Sequence, residues 1–172
     1  MTTTETTSAE EAPDSLAERV NNRSRRPSSD AFREFMGSQW GPRPDPGITR
    51  SAVADYLPAR ATAAGEPFAG ERLVIPAGSY KVRSNDCTYR FRAYSAFAHM
   101  SGLGQEREPD SVIVLEPLPE GGHEAVLYFK PRTSRSSQEF YSDSRYGEFW
   151  VGARPSLEEV ATETGLRCEH ID

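Results

Sequence analysis

The chain has 172 residues, of which 36% are hydrophobic and 27% are charged, and its formal net charge is −6. This length suits one domain with a sizeable core. An acidic chain lacks the basic face that displaces counterions from nucleic acid, which excludes a general nucleic-acid backbone binder. No apolar run approaches the ~20 residues that a membrane-spanning helix needs, and no N-terminal stretch is typical of a secretory signal.

The first 28 residues differ in composition from the rest of the chain. They are polar and charged, with few large apolar side chains. Such a segment cannot bury enough surface to offset the entropy of ordering it, so residues 1–28 are predicted to be a disordered leader and residues 29–172 the domain. Cys87 and Cys168 lie far apart and lack metal-binding spacing, which indicates two reduced thiols in a cytoplasmic protein.

A short helix is predicted over residues 31–39. Ser29 and Asp30 precede it as capping residues, and Phe32, Phe35 and Met36 recur on one face at helical spacing. The segment that follows carries three prolines within residues 41–47. Prolines at this density forbid regular structure, so the segment is predicted to be a loop.

A second helix is predicted to begin after Thr49 as its cap and to run to about Ala64. Pro58 lies inside this stretch and is expected to kink or shorten the helix. The predicted buried stripe of this helix consists of Val53, Tyr56 and Leu57.

Short runs of β-branched or aromatic residues bounded by Pro, Gly and Asp predict strands over residues 111–116 and 124–130. Further strands are predicted over residues 72–75, 97–100 and 166–171. Residues 112–115 are apolar at four consecutive positions, which predicts a central strand buried on both faces. The Ser- and Arg-rich residues 130–144 are predicted to form a surface loop.

Ser156 and Glu159 have the spacing of a capping box, which predicts a helix that ends at Gly165. Leu157, Val160 and Ala161 are predicted to face inward. A domain that ends on the next strand, as the start of an unfinished βα unit, is unusual. The sequence therefore predicts an α/β domain with a mixed β-sheet flanked by helices, truncated at its C-terminal end.

The sequence contains no recognisable catalytic constellation. His99, His123 and His170 fall on separate predicted elements, without HExxH or zinc-type spacing, and His99 is predicted to be a partly buried strand residue. Asp143 and Glu148 are the nearest candidates for a carboxylate pair, but are interpreted as solvated surface.

One region resembles the N-terminal domain of aminopeptidase P. Residues 83–92 read Arg-Ser-Asn-Asp-Cys-Thr-Tyr-Arg-Phe-Arg, and Ser-Ala-Phe at 95–97 and Met-Ser-Gly at 100–102 follow in the family's order. Two later blocks, at 126–132 and 148–154, read Val-Leu-Tyr-Phe-Lys-Pro-Arg and Glu-Phe-Trp-Val-Gly-Ala-Arg. The resemblance extends from about residue 71 to the last residue.

The resemblance implies a creatinase N-terminal domain, whose fold is similar to that of ribonuclease H. Full-length relatives are Xaa-Pro aminopeptidases, which remove an N-terminal residue that precedes proline. In them a C-terminal pita-bread domain, absent from this chain, carries the Asp, His and Glu ligands of two Mn²⁺ ions. By this resemblance the chain alone is inactive and binds no metal, and it contributes contacts to a dimer or tetramer.

Two residues match positions that the family presents to the substrate cleft of a neighbouring subunit. They are Trp150 and Asp86, and the substrate there is a peptide with proline at its second position. From the residues alone, Trp150 also suits a core position, and Asp86 an Asx turn.

Two other readings stay open. The first is a peptidase-like interaction module without catalysis, whose acidic charge would suit a basic partner. The second is a prolidase or creatinase, which share the fold.

Overall fold

The computed structural model describes residues 29–85 and 87–172, so the predicted leader over residues 1–28 lies outside the described residues. Six α-helices and six β-strands are formed by the described part. The helices are α1 (Asp30–Gly37), α2 (Leu57–Gly65), α3 (Ser95–Ser101), α4 (Gln138–Ser142), α5 (Glu148–Val151) and α6 (Leu157–Thr164). Two 3₁₀ segments, Ala52–Tyr56 and Glu66–Phe68, flank α2.

The strands form two sheets. They are β1 (Leu73–Pro76), β2 (Val82–Ser84), β3 (Cys87–Thr88), β4 (Val112–Pro117), β5 (His123–Phe129) and β6 (Arg167–His170). The larger sheet has the order β1-β4-β5-β6, and β2 and β3 form a separate antiparallel hairpin. In the larger sheet β6 is parallel to β5 and the other pairs are antiparallel, so the predicted mixed sheet is confirmed.

The prediction that the apolar strand is central is confirmed, because β4 pairs with β1 on one side and β5 on the other. Ile113 lies opposite Ile75 and Leu127 in the two registers. The prediction of burial on both faces is wrong, because Ile113 and Leu115 are fully buried while Val112 and Val114 are only partly covered.

The helices contribute buried side chains to the same core as the sheet. Leu57 and Ala61 of α2, Phe97 and Met100 of α3, and Val160 of α6 all belong to one buried cluster with the sheet. Burial of apolar side chains at this scale is the main stabilising term in folding. The flanking helices are therefore held to the sheet by the side chains that their sequence periodicity presents.

The predicted strand over residues 97–100 is wrong, because these residues lie in α3. Phe97, Met100 and Ser101 are buried at helical spacing, and Gly102 ends the helix in the left-handed region with φ of 70°. The prediction that His99 is a partly buried strand residue is therefore also wrong, because His99 is an exposed residue of α3.

The second predicted helix is divided into two pieces. Ser51, not Thr49, caps the 3₁₀ segment, and α2 then begins with Pro58 in its first turn, where the missing N–H is harmless. Because the 3₁₀ segment turns the chain by a different angle per residue, Tyr56 points outward and is 64% exposed. The prediction that Tyr56 is buried is therefore wrong.

The prediction of a surface loop over residues 130–144 is wrong for its second half. Gln138–Ser142 form α4 after the N-cap Ser137, and Phe140 and Tyr141 are buried. The capping box that begins α6 is confirmed. Ser156 Oγ accepts from the Glu159 amide, and the Glu159 carboxylate accepts from the Ser156 amide.

Within the described residues, every helix is too short or too polar to cross a bilayer.

Candidate functional site

Trp150 lies on α5, a helix of four residues, and 60% of its surface is exposed. Its indole Nε1 donates to the backbone oxygen of Tyr141 at 2.6 Å. One edge of the ring is thus anchored to the protein while much of the ring is open to solvent. The interpretation of Trp150 as a core residue is therefore wrong.

Two glycines shape the ends of α5. A Cβ atom at Gly147 would lie 2.5 Å from the backbone oxygens of Asp143 and Glu139, closer than such atoms can approach. Gly152 has φ of 84° and ψ of −171°, a conformation restricted almost entirely to glycine. Gly147 therefore lets α5 pack directly against the backbone of the preceding segment, and Gly152 lets the chain turn sharply after α5.

Glu148 holds α5 to the rest of the domain. One carboxylate oxygen accepts from the Arg154 amide at 3.1 Å, and the other forms an ion pair with Arg43 at 2.5 Å. Asp143 accepts from the amides of Arg145 and Tyr146. The interpretation of Asp143 and Glu148 as a solvated pair is wrong, because the Glu148 side chain is only 10% exposed and both carboxylates fix local backbone.

A row of aromatic side chains connects Trp150 to the interior. Trp40, Phe140, Phe149 and Trp150 contact one another in sequence, edge to face, with centroid separations of 5.1, 6.4 and 6.0 Å. Phe149 is 51% exposed and Phe140 is buried. The exposed indole therefore extends an aromatic row that begins in the loop after α1.

The other predicted site residue, Asp86, lies outside the described residues. The hairpin that flanks it has irregular register between β2 and β3, and Asn85 has φ of 45°. Asparagine tolerates this left-handed conformation better than most residues. The Asx-turn reading and the cleft reading of Asp86 both remain predictions.

A polar cluster links the base of this hairpin to the segment before α5. Asp110 accepts from Arg145 Nε at 2.8 Å and from the Tyr146 hydroxyl at 2.5 Å. Arg145 also donates to Ser79 at 2.6 Å and lies 5.3 Å from the ring centre of Tyr80. Burial disfavours the Asp110 carboxylate, but the hydrogen bonds from Arg145, Tyr146 and Ser79 prevail and keep its pKa below the ordinary value.

A buried ion pair lies behind the same segment. The side chains of Glu108 and Arg154 are 4% and 9% exposed, and their charged atoms approach to 3.4 Å. Arg154 also donates to the backbone oxygen of Lys130. Burial raises the pKa of Glu108, although the positive charges of Arg154 and Arg107 partly oppose this effect.

The histidines are engaged separately. His123 Nε2 is 2.8 Å from the Glu71 backbone oxygen, and His170 Nδ1 accepts from the Asp172 amide at 3.1 Å. Within residues 29–85 and 87–172, no three His, Cys, Asp or Glu side chains are grouped to hold a metal ion. The described residues therefore do not offer the carboxylate-rich donor set that a pair of Mn²⁺ ions requires.

A cleft of about 770 Å³ opens beside α5. Sequence reasoning missed it because its walls come from separate segments, one around residues 40–48 and the other within residues 107–159. It combines aromatic and proline side chains with five arginines, which are Arg43, Arg107, Arg132, Arg135 and Arg154. The sequence feature that could have indicated this cleft is the Ser- and Arg-rich segment over residues 130–144, which contains Arg132 and Arg135.

Comparison with known proteins identifies relatives over most of the chain. The family described as aminopeptidase P, N-terminal domain, matches residues 56–172. Xaa-Pro aminopeptidase 2 of Streptomyces coelicolor is 41% identical over 137 residues, which are 80% of this chain and 28% of the relative. Xaa-Pro aminopeptidase 1 of the same organism is 42% identical over 144 residues, 83% of this chain and 28% of the relative.

Solved structures agree in fold. The low-pH form of aminopeptidase P from E. coli has a TM-score of 0.54 at 23% identity, covering 69% of this chain and 24% of that one. Proline aminopeptidase P II from Yersinia pestis has a TM-score of 0.54 at 25% identity, with the same coverage. With the predicted family confirmed by these matches, the chain belongs to the aminopeptidase P N-terminal domain family.

Proposed function

We propose that this chain is the N-terminal, non-catalytic domain of a metal-dependent Xaa-Pro aminopeptidase. The observation that carries the proposal is the family match over residues 56–172, together with Xaa-Pro aminopeptidases 41–42% identical to this chain. The chain spans 28% of the length of those relatives. The proposed reaction is removal of an N-terminal residue that precedes proline, in a homo-oligomer.

In this proposal the hydrolytic centre belongs to a second domain. Two Mn²⁺ ions held there would supply a hydroxide near neutral pH and stabilise the tetrahedral intermediate. The described residues of this chain lack a donor set for such ions. Their part is to position side chains at the substrate.

Trp150 is the side chain that we assign to this role. Its indole is exposed, and its Nε1 hydrogen bond to Tyr141 together with the Phe149 contact fixes its orientation. A fixed aromatic ring can pack against the apolar pyrrolidine of a proline-containing peptide at little entropic cost. Asp86 is proposed to face the same cleft, on the basis of family resemblance.

The first test is an assay of the 172-residue chain with Mn²⁺ and an Ala-Pro-Gly tripeptide. We expect no alanine release above a blank of buffer and Mn²⁺. Turnover that scales with chain concentration and is abolished by a chelator would contradict the assignment of catalysis to another domain.

The second test is a chimera. This chain replaces the aligned N-terminal region of S. coelicolor Xaa-Pro aminopeptidase 2, and we expect the chimera to hydrolyse the tripeptide. Trp150→Ala in the chimera should lower kcat/KM about tenfold, which corresponds to about 1.4 kcal/mol of lost transition-state binding. Tyr56→Ala is the matched control, because Tyr56 is equally exposed, at 64% against 60%, and lies on another element.

The outcomes separate the candidate functions. An unchanged kcat/KM in the Trp150→Ala chimera would remove Trp150 from the substrate wall. A chimera that folds and oligomerises but hydrolyses nothing would instead favour the non-catalytic interaction module.

A further inference from the structure

The cleft beside α5 has the size and lining of a small-molecule site. Its volume of about 770 Å³ lies within the range of about 300–1,000 Å³ that is usual for ligand pockets. Trp40, Phe140 and Phe149 supply aromatic surface, and Pro44, Pro46 and Pro155 supply further apolar surface. These groups suit a ligand with a flat, apolar part.

The charges of the cleft leave one positive charge uncompensated. Four of its five arginines each have a carboxylate partner. These pairs are Arg43 with Glu148, Arg132 with Glu159, Arg107 with Glu163 and Arg154 with Glu108. Arg135 has no carboxylate within 4.0 Å among the residues that the structure describes, so five cations face four anions.

Arg135 is held in place by other contacts. Its guanidinium lies 5.3 Å from the ring centre of Trp40 and donates to the Gly41 backbone oxygen at 2.5 Å. These contacts leave most of its N–H groups without a partner in the described part of the chain. The cation is thus ordered beside an aromatic ring that is 45% exposed.

Two donor atoms in the cleft wall lack acceptors. Arg43 Nε and Arg135 Nε are both buried and have no hydrogen-bond partner among the described residues. Because both Nε atoms are enclosed by the protein, a ligand in the cleft does not reach them. The terminal N–H groups of Arg135 are not enclosed in this way, and only one of them bonds Gly41. Guanidinium groups bind planar carboxylates and phosphates by paired hydrogen bonds.

We propose that this cleft binds a small organic anion in which a carboxylate or phosphate head group is attached to a flat ring. The head group pairs with the terminal N–H groups of Arg135, and the ring packs against Trp40 and Phe149. An inorganic anion would use the arginines but leave the aromatic wall uncovered. An uncharged ring would leave the Arg135 charge unpaired.

The test uses the fluorescence of Trp40, which is one of only two tryptophans in the chain. In the full chain with Trp150→Phe, Trp40 reports directly on the cleft. Phenyl phosphate and benzoate are titrated at constant ionic strength, with inorganic phosphate and phenol as probes of head group and ring alone. We expect saturable changes with phenyl phosphate or benzoate, and weaker binding of inorganic phosphate and phenol. Whichever of the two ring anions binds more tightly identifies the head group.

Arg135→Met tests the assigned cation while keeping an unbranched side chain over Trp40. We expect affinity for the ring anion to fall about tenfold or more, as when a hydrogen bond to a charged group is lost. Arg33→Met is the matched control, because Arg33 is an exposed arginine on α1 that is not among the cleft residues. Its affinity should be unchanged.

Thermal unfolding of the unmodified chain gives a second readout, because a ligand that binds only the folded state raises the unfolding temperature. The proposal is overturned if no ring anion gives a saturable signal, or if Arg33→Met and Arg135→Met weaken binding equally. It is also overturned if inorganic phosphate binds as tightly as phenyl phosphate.

Discussion

Glu108 lies in a loop where three acidic residues adopt left-handed backbone conformations. Glu106, Glu108 and Asp110 have φ of 60°, 47° and 63°. Each is paired with an arginine from elsewhere in the chain, namely Arg90, Arg154 and Arg145 respectively. Such conformations are unfavourable for these residues unless surrounding contacts impose them, and here the arginines supply those contacts.

The Glu108 carboxyl should make stability fall with rising pH. Burial raises its folded-state pKa above the ordinary value of 4.5, so the folded chain holds this proton more tightly than the unfolded chain does. The resulting stabilisation is complete below about pH 4.5 and is lost as pH rises through the folded-state pKa. Glu108→Gln lacks this titration. Denaturant unfolding from pH 4 upward should therefore show the free energy of unfolding of the natural chain falling relative to that of Glu108→Gln.

Asp110→Asn is the control with the opposite sign. Because the pKa of Asp110 is lowered by its partners, the stabilisation from that group is present above its ordinary value of 3.8 and is lost as pH falls below it. The unfolding series for this variant therefore extends below pH 3.8. A Glu108→Gln difference that is flat with pH, or that runs in the same direction as the Asp110→Asn difference, would contradict the assignment.

Among the elements, α3 shows where local sequence is ambiguous. Residues 97–100 read Phe-Ala-His-Met, a segment too short for its pattern to separate a strand from a helix. The buried spacing of Phe97, Met100 and Ser101 and the terminating Gly102 both indicate a helix. This signal was in the sequence, but it extends beyond the four residues on which the strand prediction relied.

The capping box of α6 was predictable because all of its atoms come from four consecutive residues. Ser156→Ala should lower the free energy of unfolding by about 1 kcal/mol, since the Glu159 amide loses its acceptor at 3.2 Å. Thr162→Ala is the control on the same helix, where the exposed hydroxyl bonds the Glu158 backbone oxygen. Its effect should stay within about 0.5 kcal/mol. Equal losses in the two variants would show that the cap contributes nothing beyond helix propensity.

For the molecule as a whole, the sequence predicts the class of fold better than the site. The four strands of the larger sheet and α6 follow from local patterns, whereas the β2–β3 hairpin was not predicted. The cleft joins Arg43 to Arg132 and Arg154, which lie far apart in the chain. No spacing rule connects such residues before the chain is folded. Trp150 was singled out by family resemblance, and its exposure agrees with the predicted role, which itself stays a prediction.

The two thiols should report on the intact fold. Burial raises the pKa of Cys168 to about 12 from 9.0, while Cys87 is exposed. Since the thiolate is the reactive form, Cys168 should react about 1,000-fold more slowly at pH 8 than a thiol of ordinary pKa. A thiol reagent should label one cysteine quickly and the second only with global unfolding in denaturant. Cys168→Ser should abolish the slow phase, and a slow phase that persists in this variant would contradict the assignment.

The parallel pairing of β6 has a consequence for the order in which the sheet assembles. Five residues separate β4 from β5, but 37 residues lie between β5 and β6. Closing the longer connection costs about 2 kcal/mol more chain entropy, at about 0.6 kcal/mol for each doubling of length. The β4–β5 hairpin is thus the cheaper nucleus, and β6 joins only after the intervening helices have collapsed onto it. Because α5 lies within that connection, the exposed indole reaches its final position late in folding.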